Sequence, residues 1–170
     1  MSARLVLVLA AVAAGAAACA PAPPPGGYGP PPPTAAVFDP QAFAWSTRGG
    51  QNAIDGRIDY RREGRAYACS GSVGLTPDTP YTRQRFAALY GSTDRAAVPE
   101  AVVRARNVPD PNADYRAFVR SERCENGRFR FSGLPDGGWF IIAPVDAGGD
   151  RIILMQSVRT RGGRVSNVVM

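Results

Sequence analysis

The stretch Glu125-Asn-Gly-Arg-Phe-Arg-Phe-Ser-Gly-Leu-Pro-Asp-Gly-Gly-Trp-Phe-Ile-Ile142 restricts the fold more than any other part of the chain. Asn126-Gly127 is the dipeptide favoured in a type I′ turn, where both central residues need positive φ. The alternation that follows puts Phe129 and Phe131 on one sheet face and Arg128 and Arg130 on the other. Gly133 to Gly138 breaks the chain, and Trp139 to Ile142 starts another strand. Two strands with two glycine-bearing turns predict a β-meander in a half-buried sheet.

Other segments extend the pattern. Asn52 to Tyr60 alternates, with Ile54 and Ile58 sharing a face; Arg61 to Arg65 is a polar turn, and Ala66 to Thr76 returns as a second strand with Gly71 and Gly74 as candidate bulge sites. Phe86, Leu89 and Tyr90 recur at helical spacing, so Arg83 to Tyr90 suits a helix of two turns ending at Gly91, the alternative being an irregular connection. Valines between Ser92 and Asn112 could form a strand, which Pro99, Pro109 and Pro111 restrict to an edge or a loop. Tyr115 to Cys124 leads as a strand into the Asn126-Gly127 hairpin, and Arg151 to Val158 and Arg164 to Val169 complete the set.

About seven short strands, closely spaced turns and one short helix predict an all-β, two-sheet sandwich over residues 38–170. Three pieces carry a family resemblance: Gly56 to Tyr60, Cys69 to Tyr81, and Gly127 to Ile141 with its Gly-x-Phe-x-Phe-x-Gly-Leu-Pro-x-Gly core. Together they resemble the carboxypeptidase regulatory-like domain, a transthyretin-like (prealbumin-like, Ig-like) β-sandwich. The resemblance implies a seven-stranded accessory, adhesive or scaffolding module, generally without catalysis. The long 77–114 segment departs from that pattern.

Arg4 followed by the apolar run Leu5 to Ala18 describes a signal peptide, too short to span a bilayer, over residues 1–18. Ala16-Ala17-Ala18-Cys19 resembles a bacterial lipobox and implies acylation of Cys19, although leucine is the usual residue where Ala16 stands. The alternative is ordinary cleavage after Ala18. Residues 19–37 are proline-rich and are expected to form a disordered tether; about 13 residues of polyproline II at roughly 3.1 Å each would reach on the order of 40 Å. Ala20, where enteric retention signals carry aspartate, points to an outer-membrane lipoprotein facing the periplasm if the source is Gram-negative.

Cys69 and Cys124 are the remaining cysteines, and an exported chain makes a disulfide between them the expectation, against two buried thiols. Closing a loop of about 56 residues would contribute roughly 4 kcal/mol in the chain-entropy account.

Histidine is absent and all 20 basic residues are arginine. That excludes histidine-based triads, histidine metal sites, Schiff-base lysines and P-loop lysines. Hydroxyisourate hydrolases and intradiol dioxygenases have related sandwiches, but both use histidine. Asp55, Asp59, Asp136 and Asp146 leave a carboxylate pair open, although Asp136 in Leu-Pro-Asp-Gly reads as a turn former. No enzyme activity, cofactor or metal is expected.

The net charge of +6 could indicate nucleic acid, but an exported chain meets little of it. The expected partners are the membrane, through the lipid anchor, and an envelope protein or anionic glycan. The first functional reading is therefore a non-catalytic structural or protein-interaction lipoprotein. The alternative is a glycan-binding module using Tyr81 or Trp139 as exposed aromatics beside Arg128 and Arg130, with Trp139 in the core as the competing placement.

Overall fold

The computed structural model describes residues 36–108 and 113–170. The expected leader, Cys19 and nearly all of the proline-rich stretch lie outside those residues.

The chain enters through a short helix, α1 (Pro40–Phe43), capped by the Asp39 side chain and continued by a 3-10 turn at Ala44–Thr47. Strands follow at β1 (Asn52–Arg57), β2 (Arg61–Arg62), β3 (Arg65–Ala66), β4 (Ala68–Cys69) and β5 (Ser72–Pro77). After α2 (Pro80–Tyr90) come β6 (Arg95–Pro99), α3 (Glu100–Ala105) and a 3-10 turn at Ala113–Phe118. The remainder is β7 (Arg120–Arg123), β8 (Arg128–Leu134), β9 (Gly137–Ala147), β10 (Asp150–Thr160) and β11 (Val165–Val169).

These strands build the expected sandwich. The smaller sheet has the order β11-β1-β8; the larger runs β6-β10-β9-β5-β7, with β4 also on β9; β2 and β3 form a separate ribbon. β1 pairs antiparallel with β8 and parallel with β11. Between the layers lie Ile54, Phe129, Phe131 and Val168 from the small sheet and Leu75, Trp139, Ile141, Val145 and Leu154 from the large one. Gly56 sits opposite Phe129, and a Cβ there would come 1.9 Å from the phenyl ring, so the aromatic covers a position that only glycine can occupy.

β9 is buried on both faces, which accounts for its nearly continuous apolar sequence. Trp139 and Ile141 face the sandwich, whereas Phe140 and Ile142 face α2 through Phe86 and Met155. The Trp139 indole N–H donates to Thr160 Oγ1 at 3.0 Å, so its one polar atom is satisfied.

The Asn126-Gly127 turn has φ values of 51° and 73°, and Glu125 and Arg128 exchange both backbone hydrogen bonds, as the dipeptide predicts. The meander does not form. β8 belongs to the small sheet and β9 to the large one, so residues 133–138 cross between layers. The reason is packing: Phe129 and Phe131 must face Trp139 and Ile141 across the core.

Three other segments differ from expectation. α2 starts one turn early because Thr79 caps it reciprocally with Thr82 and Pro80 occupies the first turn. Residues 115–118, expected as the start of a strand, lie in the 3-10 turn instead, and Tyr115 packs with Tyr81 and Phe43. α3 was not anticipated; Glu100 accepts from Arg104 one turn on and pairs with Arg151 at 2.9 Å. The 95–99 strand is at a sheet edge, as its proline requires. Cys69 and Cys124 form the expected disulfide, with a Cα separation of 5.9 Å.

One polar cluster ties the crossing to both sheets. Asn52, only 2% exposed, donates through Nδ2 to the Leu134 carbonyl at 3.0 Å and to Asp136 Oδ1 at 2.9 Å. Its Oδ1 accepts from the Arg164 N–H at 3.0 Å, and Asp136 Oδ1 also accepts from the Gly162 N–H at 2.9 Å. Asn52→Ala should cost about 2–3 kcal/mol in urea unfolding with an unchanged slope, because it strands buried polar partners. The exposed Asn167→Ala should stay within about 0.5 kcal/mol.

Donation from Asn52, then from Gly162, holds the Asp136 carboxyl below its ordinary value of 3.8, aided by the Arg161 charge. A depressed folded-state pKa stabilises the fold fully above the unfolded value, and that contribution is lost as pH falls through the folded one. The melting temperature of Asp136→Asn should therefore lie below wild type at pH 7, and the gap should close below pH 3.8. A gap independent of pH would remove the Asp136 charge from this account.

Candidate functional site

The pairing of β1 with both neighbours fixes what the outer face of the small sheet displays. Asp55 is in register with Arg130 on one side and Asn167 on the other; Arg57 is in register with Arg128 and Val169. Directly paired residues share a face, so the sheet presents the rows Arg130-Asp55-Asn167 and Arg128-Arg57-Val169. The intervening Phe129, Gly56 and Val168 are buried, as alternation demands.

These rows form much of the wall of an open groove of about 1280 Å³, closed on another side by Ser121, Glu122 and Arg123 of β7. Arg130 Nη1 donates to both oxygens of Asp55, at 2.7 and 2.8 Å. Arg57 lies 3.3 Å from the Asp59 carboxylate. Arg123 and Arg128 form no ion pair among the described residues. The groove therefore combines the anchored Asp55–Arg130 pair with two arginines, Arg123 and Arg128, and two glutamates, Glu122 and Glu125, that form no ion pair among the described residues. Such a surface can donate to hydroxyls and carboxylates along an extended polar ligand.

Arg128 and Arg130 are thus together, as the alternation predicts. The aromatics proposed beside them are elsewhere. Trp139 is 0% exposed, in the sandwich core, and the arginine over its ring is Arg120, at 5.7 Å. Tyr81 is buried against Phe38 and Tyr115. An exposed platform built from Trp139 or Tyr81 is therefore corrected: both rings are core residues, held where apolar area is removed from water.

Asp55, Arg57 and Asn167 were missed as groove residues. The alternation around Ile54 already places Asp55 and Arg57 on the opposite face. Only the register with β8 and β11, separated from β1 by most of the domain, brings them beside Arg128 and Arg130.

The four aspartates considered for acid–base work have separate structural settings. Asp136 is in the Asn52 cluster, Asp55 pairs with Arg130, Asp59 lies beyond the far end of β1, and Asp146 accepts from the Gly149 N–H in the β9–β10 turn. Among the described residues, no group of three or more His, Cys, Asp or Glu could hold a metal ion.

No protein-family model matches the chain, and neither does any curated protein. Among solved structures, the crystal structure of a candidate carbohydrate-binding protein from Pseudomonas aeruginosa is similar, with 20% identity and a TM-score of 0.52. The match covers 78% of this chain and 96% of that one, and at this identity it is a likeness of fold.

Proposed function

We propose that the chain is a non-catalytic binding module for an acidic glycan of the cell envelope. The observation that carries this reading is the groove on the small sheet, where Arg57, Arg123, Arg128 and Arg130 share an open, polar wall with Asp55, Glu122, Glu125 and Asn167 and outnumber the carboxylates. Sugar hydroxyls are served by the Asp55–Arg130 pair and the Asn167 amide, and carboxylates by Arg123 and Arg128. The similar Pseudomonas protein, itself a candidate carbohydrate binder, supports the same class.

In this reading the fold is a carboxypeptidase regulatory-like accessory domain. Acyl chains on Cys19 hold it at the outer membrane, and residues 19–37 give it reach. The groove is read as a recognition surface, with histidine- and lysine-dependent chemistry excluded by composition.

A second reading, a protein-interaction module, is favoured by β11. Val165 and Val169 are 49% and 47% exposed on the edge strand of the small sheet, where another protein could add a strand.

The two differ in their response to salt. Purified protein should be retained on immobilised polygalacturonate at low ionic strength and released as salt rises. The double variant Arg128→Ala/Arg130→Ala should bind at least about tenfold more weakly, given the cost of losing charge-assisted hydrogen bonds. Failure to bind polygalacturonate or envelope glycan, together with salt-resistant capture of one discrete envelope protein, would replace the glycan reading with the second one.

A further inference from the structure

A smaller cleft, at the opposite sheet from the groove, has a composition of its own. Trp45, in the 3-10 turn Ala44–Thr47, is half-buried, and its ring centroid lies 4.9 Å from that of Trp139 in an edge contact. The indole rests on the bare backbone of Gly137, where a Cβ would come 2.0 Å from the ring. A Cβ on Gly138 would be 3.1 Å from Asp78. Gly137 thus gives the indole its seat on the backbone and Gly138 lets the Asp78 side chain come close, which sets an aromatic and an acidic wall of the cleft side by side.

The polar wall is fixed in place. The Asp78 N–H donates to the Gly138 carbonyl at 2.9 Å, and the Asp78 side chain, 11% exposed, pairs with Arg83, which is 50% exposed. Arg159 stands in register with Gly138, is exposed, and forms no ion pair among the described residues. The cleft has a volume of about 480 Å³. That is within the roughly 300–1,000 Å³ usual for small-ligand sites. It holds one carboxylate against two guanidinium groups, so it has positive charge to spare.

We infer that this cleft binds a single acidic pyranose ring, such as a uronic acid residue. The apolar C–H face of the ring is placed against Trp45, hydroxyls against the Asp78–Arg83 pair, and the ring carboxylate against Arg159. A bare anion would use Arg159 but leave the indole wall without a partner. A neutral sugar would use the wall and leave Arg159 without one. The inference stands on the geometry of this cleft and does not depend on the groove of the small sheet.

The chain has two tryptophans, and Trp139 is 0% exposed, so ligand-induced change in tryptophan emission reports on Trp45. The intact protein would be titrated with trigalacturonate, maltotriose and inorganic phosphate. Trigalacturonate should give a saturable emission change, maltotriose should bind at least about tenfold more weakly, and phosphate should give no change. Arg159→Ala, at an exposed position that keeps the reporter, should weaken trigalacturonate binding by at least about tenfold. Calorimetry should find no binding at this affinity in Trp45→Ala. Arg128→Ala/Arg130→Ala should leave the emission titration unchanged, whatever it does to polymer retention. The inference is overturned if trigalacturonate gives no saturable response, if phosphate or maltotriose matches it, or if Arg159→Ala leaves it intact. It is equally overturned if the response disappears in Arg128→Ala/Arg130→Ala, since the ligand would then be in the groove.

Discussion

The structure depends on the passage of the chain from β8 to β9. Residues 133–138 must carry it from one sheet to the other and still leave Phe131 and Trp139 in the same core from opposite sheets. A crossing of this kind exposes backbone groups to the edge of an apolar core, where unpaired donors and acceptors are expensive. Here the cost is met locally. The Leu134 carbonyl accepts from Asn52, the Pro135 carbonyl accepts from Thr160 at 2.7 Å, and Asp136 accepts from Asn52 of β1 and from Gly162 between β10 and β11. The Thr160 hydroxyl, in turn, accepts from the Trp139 indole, so the largest core side chain is tied to the same crossing. Core packing and turn chemistry are one arrangement at this end of the sandwich.

Much of this was legible before the structure, and the residues show why. Asn126-Gly127, the Phe129/Phe131 alternation and the Gly91 helix stop are local signals, set by φ and by side-chain periodicity, and the chain obeys them. The disulfide was legible from the expectation of export and from the cysteine count. The sheet assignment of β8 and β9 was not, because alternation says which face a residue occupies and nothing about which strand lies beside it. Residues 115–118 show the opposite failure. Their imperfect alternation suggested a strand, but Tyr115 and Phe118 at a spacing of three serve a small aromatic cluster under α1.

The candidate sites divide along the same line. Arg128 and Arg130 could be placed on one outer face from sequence, since each neighbours a core phenylalanine. Their companions Asp55 and Asn167 come from strands far away in the chain, and no local pattern links them. The aromatics were misplaced because tryptophan and tyrosine have amphipathic side chains that suit both cores and binding surfaces. Trp139 follows the crossing into the core, whereas Trp45, in a short connection, keeps part of its ring at the surface. The glycines at 137 and 138 look like turn residues in sequence; in the fold Gly137 makes room for that ring and Gly138 for the Asp78 side chain.

The pairing of β1 has a consequence for how the molecule is made. β1 lies at the centre of the small sheet, yet both of its partners come from the last third of the chain: Ala53 is in register with Val165, and Asp55 with Arg130. As the polypeptide emerges, β1 has no neighbour to zip onto until those distant segments arrive, and closing such long loops is slow. The small sheet cannot be complete before Val165–Val169 is present, and neither can the groove. A chain that stalls or is clipped before Val165 has no complete groove to present.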